Sequence, residues 1–245
     1  MKIKNNQRKS QKADLHIHTN VHDGLSAPEE VVLKAVEKNV KFIAITDHNI
    51  IKGALAAKKY ARKKKLDVEV IIGEEVLTKD GEILALFINK LIPPYQEIDW
   101  TCQEIRRQGG LVIAPHPFRK YIGWGISEKV FRDLWTKGLL DGAELYNPWD
   151  FFPFVWGKRK RIYQQMEVKS LLSNSDAHYA DWIGAYYNET HANNIDELKQ
   201  EIIKAKTKPM IRKSRIKIWI RGFYLISLRL IDGFVQKAFA KGSKK

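Results

Sequence analysis

The sequence predicts a mainly parallel α/β fold, with strands and helices that alternate along a chain of 245 residues. Short apolar runs alternate with amphipathic helical patterns, which is typical of a parallel sheet. Polar segments rich in histidine and aspartate follow several of the apolar runs. In a closed parallel barrel these segments would lie on one face, because the C-terminal ends of the strands converge there. With 44% hydrophobic residues, the chain is able to bury one large core, which favours one α/β domain.

The strand predictions rest on short apolar runs that are bounded by turn residues. The link between the third and fourth runs, Leu77 to Gly81, is too short for a helix, so we expect a hairpin there. The predicted strands are 13–18, 42–46, 69–73, 83–88, 111–115, 142–146 and 169–173.

The helix predictions rest on amphipathic spacing and on start and stop signals. Pro28 occupies the first turn of the first helix, Ser127 caps the fourth, and Gly109-Gly110 ends the third. Each predicted helix follows a predicted strand, as the crossover helices of a parallel sheet do. The predicted helices are 28–38, 51–65, 95–108, 127–137, 154–167 and 195–206.

The formal net charge of +15 is concentrated at the two ends of the chain. Residues 1–12 carry +5 and residues 213–245 carry +8, which leaves only +2 for residues 13–212. We therefore expect a basic N-terminal arm, a nearly neutral central domain and a basic C-terminal segment. Basic ends suit a polyanionic partner, either nucleic acid or an anionic membrane surface, and solvated solubilising tails are the alternative.

The segment from Ile216 to Phe239 has the spacing of an amphipathic helix. Its longest charge-free run, Gly222 to Leu228, has seven residues, whereas a helix that spans a bilayer needs about 20. The apolar face is expected to pack on the barrel, on a twin subunit or on a membrane surface, and the oligomeric state stays open.

The single cysteine, Cys102, excludes a disulfide framework and a thiolate metal site. The N-terminus has no apolar signal-peptide core, so the cytoplasm is the expected compartment. Peripheral association with a membrane through residues 213–245 is compatible with this expectation.

Six of the seven histidines lie in or beside four polar segments at the ends of predicted strands. His16 and His18 are two residues apart, so on a strand they point to the same side and are able to bind one ion together. Asp14 shares that side and is a candidate to orient a histidine ring. The segments are Asp14-Leu15-His16-Ile17-His18-Thr19, Thr46-Asp47-His48, Ala114-Pro115-His116-Pro117 and Ser175-Asp176-Ala177-His178.

Taken singly, these residues have ordinary interpretations. A histidine at the end of a strand is more often hydrogen-bonded than bound to a metal, and Asp23, in the His22-Asp23-Gly24 turn, is more often a turn residue. The joint pattern of imidazoles and carboxylates favours metal binding, because both groups are common ligands of divalent ions.

The order of six motifs is more specific than any one of them. They are Asp-Leu-His-Ile-His-Thr with a trailing Asp-Gly, Thr-Asp-His, Gly-Glu-Glu-Val, Pro-His-Pro, Ala-Glu-Leu-Tyr-Asn and Ser-Asp-Ala-His. This set resembles the polymerase and histidinol phosphatase (PHP) superfamily over about residues 13–205. The resemblance implies a distorted TIM-like barrel of seven β/α units, which makes residues 13–212 a catalytic domain. The activities that it implies are phosphomonoester hydrolysis, exonuclease action and polymerase-associated proofreading.

The resemblance also implies two or three divalent metal ions, which would be Mn, Fe or Zn, with Mg as an alternative. Glu75 rather than Glu74 takes the glutamate place of the family's Gly-x-Glu motif and is implied to bridge two ions. At the third ion, His22 is an alternative to Asp23. The implied ligands are His16, His18, Glu75 and Asp176 for the first ion, Glu75 and His116 for the second, and Asp23, His48 and His178 for the third.

Glu82 marks a departure from the family pattern. Many members have a histidine after the glycine of the next strand, where this chain has Gly81-Glu82. The Glu82 carboxylate is a suitable ligand for Mn²⁺, Fe²⁺ or Mg²⁺, but the softer imidazole is missing, which weakens the expectation of zinc. An exposed strand glutamate is the alternative interpretation.

The metal set predicts a phosphoesterase that acts on a small phosphomonoester, a nucleotide or a nucleic-acid 5′ end. Metal ions would lower the pKa of a bound water to roughly 7, and the resulting hydroxide would attack the phosphorus. Asp47 or the third ion is the candidate for leaving-group protonation, and Arg119 and Lys120 are the candidate phosphate-binding cations. The alternatives are a 5′ to 3′ exonuclease on RNA or single-stranded DNA, and a metal-stabilised module that binds nucleic acid or a membrane.

Three other features have two interpretations each. Glu144, at the end of the sixth strand, is expected to lie behind the ligands or on the substrate side rather than to bridge ions. The run Lys158-Arg159-Lys160-Arg161 is a second cationic candidate, although a solvated helix face is favoured. The aromatic run from Trp149 to Trp156 either stacks a base or packs on the barrel as a lid.

Overall fold

A computed structural model describes residues 9–119, 124–150 and 153–212. Most of the basic arm, and the helix and tail predicted over 213–245, lie outside these residues. The strands are β1 (Gln11–Ile17), β2 (Phe42–Ile45), β3 (Glu69–Thr78), β4 (Gly81–Leu86), β5 (Leu111–Ala114), β6 (Gly142–Tyr146), β7 (Leu171–Ser173), β8 (Tyr186–Thr190) and β9 (Lys208–Ile211). The helices are α1 (Pro28–Glu37), α2 (Lys52–Lys64), α3 (Ile98–Arg107), α4 (Glu128–Thr136), α5 (Pro153–Gln165), α6 (Ile195–Ile203) and a 3₁₀ turn (Ala180–Trp182).

The strands of the described residues form one sheet in the order β7-β6-β5-β4-β3-β2-β1-β8-β9. Parallel pairing joins β1 to β2, β2 to β3, β5 to β6 and β6 to β7. The sheet curves until its ends meet: the Ser173 backbone N–H donates to Asn188 Oδ1 at 2.9 Å, and the Ser173 hydroxyl donates to the Met210 carbonyl at 2.8 Å. The predicted distorted TIM-like α/β barrel is therefore confirmed, and its sheet is nearly closed.

The predicted hairpin is also confirmed, because β3 and β4 pair antiparallel from Gly73 and Leu86 to Thr78 and Gly81. Two strands were not predicted. The sequence of β8, Tyr-Tyr-Asn-Glu-Thr, and that of β9, Lys-Pro-Met-Ile, contain no continuous apolar run. Backbone pairing of β8 with β1 produces these strands, and such pairing leaves a weak signal in hydrophobicity.

The core has an inner and an outer layer, because successive strand residues face opposite ways. In β2, Phe42 and Ala44 face the barrel interior, whereas Ile43 and Ile45 pack against α1 and α2. Leu198 and Ile202 of α6 join the interior cluster. The α6 helix therefore closes one end of the barrel, and the other end is left for polar groups.

Local signals set several helix ends. The Ser127 hydroxyl accepts a hydrogen bond from the Val130 backbone N–H at 3.2 Å, which confirms Ser127 as the cap of α4. The third helix begins at Ile98, three residues later than predicted, after Tyr95 takes a left-handed backbone conformation with φ of 60°. None of the helices in the described ranges has the length and apolar character that crossing a membrane requires.

The polar segments lie where the barrel strands end. Ile17, the last residue of β1, forms a parallel bridge with Ala177, and His48, after β2, forms one with Glu75 of β3. These bridges bring residues from four separate parts of the sequence to one rim. The barrel thereby positions its histidines and carboxylates against one another, as the strand-end argument predicts.

Gly53, in the first turn of α2, approaches the rim so closely that we expect alanine there to destabilise the fold. The added Cβ would lie 2.0 Å from Asp47 Oδ2 and 2.6 Å from Thr19 Oγ1. We expect Gly53→Ala to lower the free energy of unfolding by about 1 to 3 kcal/mol, measured by urea denaturation. Gly157→Ala in α5 is the control, because nothing lies within 4 Å of its added Cβ. Equal stability of the two variants would contradict this packing.

Candidate metal centre

Four side-chain atoms meet at the centre of the rim and define the first ligand group. The His16 Nε2 atom lies 3.1 Å from His18 Nε2, 3.1 Å from Glu75 Oε2 and 3.5 Å from Asp176 Oδ1. The His18 Nε2 atom lies 3.2 Å from the same Glu75 oxygen and 3.3 Å from the same Asp176 oxygen. A ring nitrogen carries at most one hydrogen, so hydrogen bonds alone do not satisfy all these contacts.

This spacing fits a shared metal ion. Metal–ligand bonds of about 2.1 Å place neighbouring ligand atoms about 3.0 Å apart in an octahedron and about 3.4 Å apart in a tetrahedron. The contacts within the first ligand group cover that range. The four residues are at most 3% exposed, so a bound cation would replace water as the partner of their polar atoms.

Glu75 presents its second oxygen to a second ligand group. Its Oε1 atom lies 2.9 Å from His116 Nε2. His48 Nδ1 lies 3.4 Å from Glu75 Oε2 and 3.4 Å from Glu82 Oε1, while His116 Nε2 lies 3.8 Å from Glu82 Oε2. The second ligand group therefore consists of Glu75, Glu82, His116 and His48.

A third ligand group lies nearer the solvent. His178 Nε2 is 3.1 Å and His48 Nε2 is 3.5 Å from Asp23 Oδ2, and His18 Nδ1 is 3.6 Å from Asp23 Oδ1. The His18 and His178 rings stack with centroids 4.2 Å apart. His22 contacts Asp23 at 3.3 Å but is half exposed. His48 thus stands between the second and third groups, with one nitrogen toward each.

The electrostatics of the first group favour a bound cation. Burial lowers the pKa of His16, but the charges of Asp176, Glu75 and Glu144 raise it well above its usual value. Burial raises the pKa of Asp176, but the charge of His16 and the hydrogen bond from His18 hold it well below its usual range. These carboxylates remain ionised and attract positive charge, either protons on the histidines or metal ions that displace those protons.

The pKa of the Glu82 carboxyl is shifted in the opposite direction to that of Asp176. Burial, and then the negative charge of Glu75, raise the pKa of Glu82. Two carboxylates that face each other in a buried site repel, and a divalent cation between them removes that repulsion. Glu82 is 3% exposed, so the interpretation as an exposed strand glutamate is wrong.

Glu144 orients the ligands from behind. Its Oε1 atom accepts hydrogen bonds from His16 Nδ1 at 3.0 Å and Asn174 Nδ2 at 2.9 Å. Its Oε2 atom accepts from the His116 backbone N–H at 2.8 Å and from Asn147 Nδ2 at 2.9 Å. A carboxylate behind a ligating histidine fixes the ring and makes it a stronger ligand. One glutamate therefore positions histidines of both the first and the second groups.

Asp14 does not have the ring-orienting role that was predicted for it. Its oxygens accept hydrogen bonds from the backbone N–H groups of Ser175 at 3.0 Å and Gly184 at 2.8 Å. A register shift between Asp14 and Ile17 interrupts the regular alternation of β1. The strand-spacing argument assumed an unbroken strand, which is why it misplaced this side chain.

Two ligand-group residues have left-handed backbone conformations. The φ angle is 26° at His116 and 45° at Asp176. Such angles are unfavourable for residues other than glycine and persist only where the surroundings enforce them. The hydrogen bond from the His116 backbone N–H to Glu144 is one such restraint. The rest of the fold therefore stabilises two unfavourable backbone conformations, which orient the side chains of His116 and Asp176.

A buried network holds Arg119 at the pocket wall. Arg119 Nη2 donates to Asn147 Oδ1 at 2.7 Å, and Arg119 Nε lies 3.5 Å from Asp150 Oδ1. The Asp150 carboxylate also accepts hydrogen bonds from both terminal nitrogens of Arg159. The Arg159 Nε atom donates to the Pro117 carbonyl at 3.0 Å. Arg159 is fully buried, so the solvated-face interpretation is wrong for this residue. It joins α5 to the turn that carries His116.

The remaining predicted residues have these surroundings. Both Asp47 oxygens accept hydrogen bonds from Thr19, at 2.6 Å from its N–H and 2.8 Å from its hydroxyl. Asp47 is buried and does not line the pocket, so its role in proton transfer stays a prediction. Trp149 packs edge-on against Trp182, and Trp156 packs edge-on against Tyr146. Trp149 also lines the pocket, so base stacking and a lid both stay predictions for the aromatic run.

Residues of all three ligand groups line an open pocket of about 430 Å³, a volume within the usual range for small-molecule sites. Tyr95 and Trp124 also line it, although no motif indicated them. Tyr95 follows Pro93-Pro94, and Trp124 lies between two glycines. Residues of this kind carry no metal-ligand signature in a single sequence. The described pocket-lining residues are His22, Asp23, His48, Asn49, Glu75, Leu77, Glu82, Tyr95, His116, Arg119, Trp124, Trp149, Asp176 and His178.

Comparison with known proteins identifies the family to which this barrel and its ligand groups belong. The PHP domain family model matches residues 14–206, which is most of the chain. The chain therefore belongs to the PHP domain family.

Individual proteins are similar to all or part of this chain. An uncharacterized protein of Methanocaldococcus jannaschii is 40% identical over 147 residues, which cover 56% of this chain and 81% of the relative. The 5′-3′ exoribonuclease Rnm of Salmonella typhimurium is 35% identical over 105 residues, 41% of this chain and only 36% of that enzyme. A two-domain protein from Bacteroides vulgatus, containing a predicted PHP-like metal-dependent phosphoesterase, superposes with a TM-score of 0.70 at 17% identity. That match covers 88% of this chain and 69% of the other.

Glu74, which faces away from Glu75, provides a test of the local electrostatics. Glu74 Oε2 accepts the Ile92 N–H at 2.9 Å, whereas its buried Oε1 has no hydrogen-bond partner among the described residues. Burial raises the pKa of Glu74 from 4.5 to about 7. The pKa of this carboxyl is therefore higher in the folded protein than in the unfolded chain. Because of this difference, the free energy of unfolding falls as the pH rises from the unfolded-state pKa of 4.5 through the folded-state pKa of about 7.

We therefore expect Glu74→Gln to be more stable than the wild type at pH 8, by about 3 kcal/mol, and to differ little at pH 4.5. Urea denaturation at the two pH values measures this difference. Glu37→Gln, at an exposed position on α1, is the control and should show little pH-dependent gain. A Glu74→Gln gain that does not depend on pH would argue against a neutral, buried carboxyl.

Proposed function

We propose that this chain is a metal-dependent hydrolase of phosphoric esters. The observation that carries this proposal is that the three ligand groups share residues: Glu75 belongs to the first and second, and His48 to the second and third. Sites with ions a few ångströms apart suit phosphoryl chemistry, because the ions stabilise both the attacking and the leaving oxygen. Membership of the PHP family and the Rnm exoribonuclease relatives support the same reaction class.

The three ligand groups would hold two or three divalent ions. Imidazole and carboxylate ligands suit Mn²⁺, Fe²⁺ and Zn²⁺, and the carboxylates of the second group also suit Mg²⁺. Such ions, when bound, neutralise phosphate oxygens and lower the pKa of a coordinated water to roughly 7. The described residues that line the pocket include no serine, threonine or cysteine.

Arg119 would bind the substrate phosphate opposite the ions. Asp150 and Asn147 hold its guanidinium at the pocket wall, and the buried Arg159 holds Asp150 in turn. A guanidinium fixed in this way loses little conformational entropy when a phosphate binds. Its role is to orient the ester and to stabilise charge on the phosphate. Asp47 and an ion at the third group are the two candidates for assisting protonation of the leaving group, and Asp47 does not line the pocket.

A 5′ to 3′ exonuclease is the second candidate. It is favoured by the relatives from Salmonella typhimurium and Escherichia coli, which are named as 5′-3′ exoribonucleases. This chain spans about a third or less of their length, so their activity does not transfer directly. Nucleic acid, or an anionic membrane, would then contact the basic ends at 1–12 and 213–245. A non-catalytic, metal-stabilised module is the alternative outside the enzymes.

One assay separates these functions. The full chain is loaded with Mn²⁺, Fe²⁺, Zn²⁺ or Mg²⁺ and incubated with a simple phosphomonoester, a nucleoside bisphosphate or a 5′-phosphorylated oligonucleotide. Release of inorganic phosphate defines a phosphatase, and release of mononucleotides from the 5′ end defines an exonuclease. An absence of turnover with every metal and substrate would leave only the non-catalytic module.

The first ligand group predicts that metal content depends on both of its histidines. We expect His16→Ala and His18→Ala each to lose one ion per chain by elemental analysis, with loss of phosphoesterase activity. His191→Ala, at an exposed position outside the pocket, is the control and should keep both. Wild-type metal content in the His16→Ala and His18→Ala variants would contradict the ligand assignment.

Arg119→Met predicts a different outcome, because Arg119 belongs to no ligand group. We expect an unchanged metal content and a kcat/KM that falls about 10- to 100-fold, which corresponds to the loss of a hydrogen bond to a charged phosphate. Steady-state kinetics with a simple phosphomonoester measure this fall. Arg132→Met, which removes an exposed arginine on α4, is the control. If both arginine variants retain wild-type kinetics, Arg119 does not contact the phosphate.

A further inference from the structure

Two aromatic side chains at the mouth of the pocket are mostly exposed. Tyr95 is 62% exposed and Trp124 is 68% exposed, and both line the pocket that contains the ligand groups. No other large hydrophobic side chain that is exposed in the described ranges lines this pocket. Two large apolar rings held in water beside a polar site lose the burial free energy that such rings usually contribute to stability.

The backbone that carries Trp124 is held firmly. Glu82 donates its backbone N–H to the Trp124 carbonyl at 2.7 Å and accepts the Trp124 N–H on Oε2 at 3.1 Å. A Cβ at Gly125 would lie 2.5 Å from the His116 carbonyl oxygen, so this position requires glycine. The exposed indole therefore projects from a segment that is tied to two residues of the second ligand group.

Tyr95 is tied to the opposite side of the same hairpin. Its backbone N–H donates to the Leu77 carbonyl at 2.7 Å, and its φ of 60° is unfavourable for a residue with a Cβ. Leu77 and Glu82 are directly paired across β3 and β4. The backbones of Tyr95 and Trp124 consequently lie about three strand spacings apart, roughly 14 Å, on either side of the pair.

The exposed rings of Tyr95 and Trp124 suit a flat, apolar group better than a charged one. The ions that the ligand groups would hold, together with Arg119, would be the cationic partners of a phosphate, while the two rings offer π faces at the mouth of the pocket. Aromatic side chains on a rigid backbone stack nucleobases of any sequence. A substrate that satisfies both ends of the pocket carries a phosphate and a planar ring on one short scaffold.

We propose that Tyr95 and Trp124 form a stacking site for the nucleobase of a 5′-nucleotide whose phosphate lies at the ligand groups. This inference rests on the proposed phosphoesterase function and names its substrate class. The 5′-nucleotide is either free or the first residue of a single strand, since both present the same phosphate and base. Trp124 and Tyr95 are specificity residues, because they contact the base and not the reacting phosphate.

The test compares substrates with and without a base. Adenosine 5′-monophosphate, ribose 5-phosphate and a 5′-phosphorylated oligoadenylate are given to the metal-loaded full chain. We expect Trp124→Ala to lower the ratio of kcat/KM for adenosine 5′-monophosphate to that for ribose 5-phosphate about tenfold, mainly through KM. Tyr95→Ala should lower the same ratio, and Trp124→Phe should restore most of it because phenylalanine keeps a stacking face.

Trp100→Ala, on α3 and outside the pocket, is the matched control and should leave the ratio unchanged. A lower KM for the oligoadenylate than for the free nucleotide would identify the strand end as the source of the base. An equal loss for ribose 5-phosphate in Trp124→Ala would overturn the proposal, because the indole would then support the site or bind the sugar. A ratio that neither alanine variant changes would overturn it as well.

Binding separates failure of this inference from failure of the proposed function. If the wild type hydrolyses none of the three probes, the phosphoesterase proposal fails, and equilibrium dialysis with the metal-loaded protein still tests the stacking site. A preference for adenosine 5′-monophosphate over ribose 5-phosphate that is lost in Trp124→Ala supports the site. Equal retention of the two probes by the wild type overturns it.

Discussion

The structure depends on the burial of carboxylates beside histidines at the end of one barrel. Glu75 and Asp176 are almost completely buried, and their contacts with His16 and His18 exceed what hydrogen bonds can satisfy. An ionised carboxylate without a partner is expensive to bury, so this cluster is stable only with protons or cations in it. The opposed pKa shifts of the carboxyls and imidazoles express that requirement.

Several features that lower the stability of the fold place or orient the residues of this cluster. The strained backbone at His116 and Asp176, the register shift in β1 and the fully buried carboxylate of Glu144 would each weaken an ordinary barrel. Glu144 compensates through four hydrogen bonds, which reach a ring, a backbone N–H and two amides. Placing one acceptor behind two ligand groups couples their geometry, so a displacement at one group is transmitted to the other.

Glu82 connects the ligand groups with the mouth of the pocket. A carboxylate has two oxygens, and here Oε1 faces His48 while Oε2 faces His116 and accepts the Trp124 N–H. The residue that departs from the family pattern therefore also holds an aromatic residue of the rim. Glu82 would therefore give the second group a hard oxygen ligand, and the same side chain positions the backbone of Trp124.

The sequence alone determined where the site lies, because apolar runs followed by histidine and aspartate predict the rim of a barrel. The order of the motifs predicts which residues meet at that rim. Only the tertiary structure decided the surroundings of Arg159, Asp14, Tyr95 and Trp124, and the pairing of β8 and β9. The physical reason is separation along the chain. A helix pattern does not reveal that Arg159 will be buried with Asp150 and the Pro117 carbonyl as its partners. Residue spacing likewise does not reveal the register shift in β1. Periodicity reports the face of each element, whereas partners brought together by folding decide what each polar side chain does.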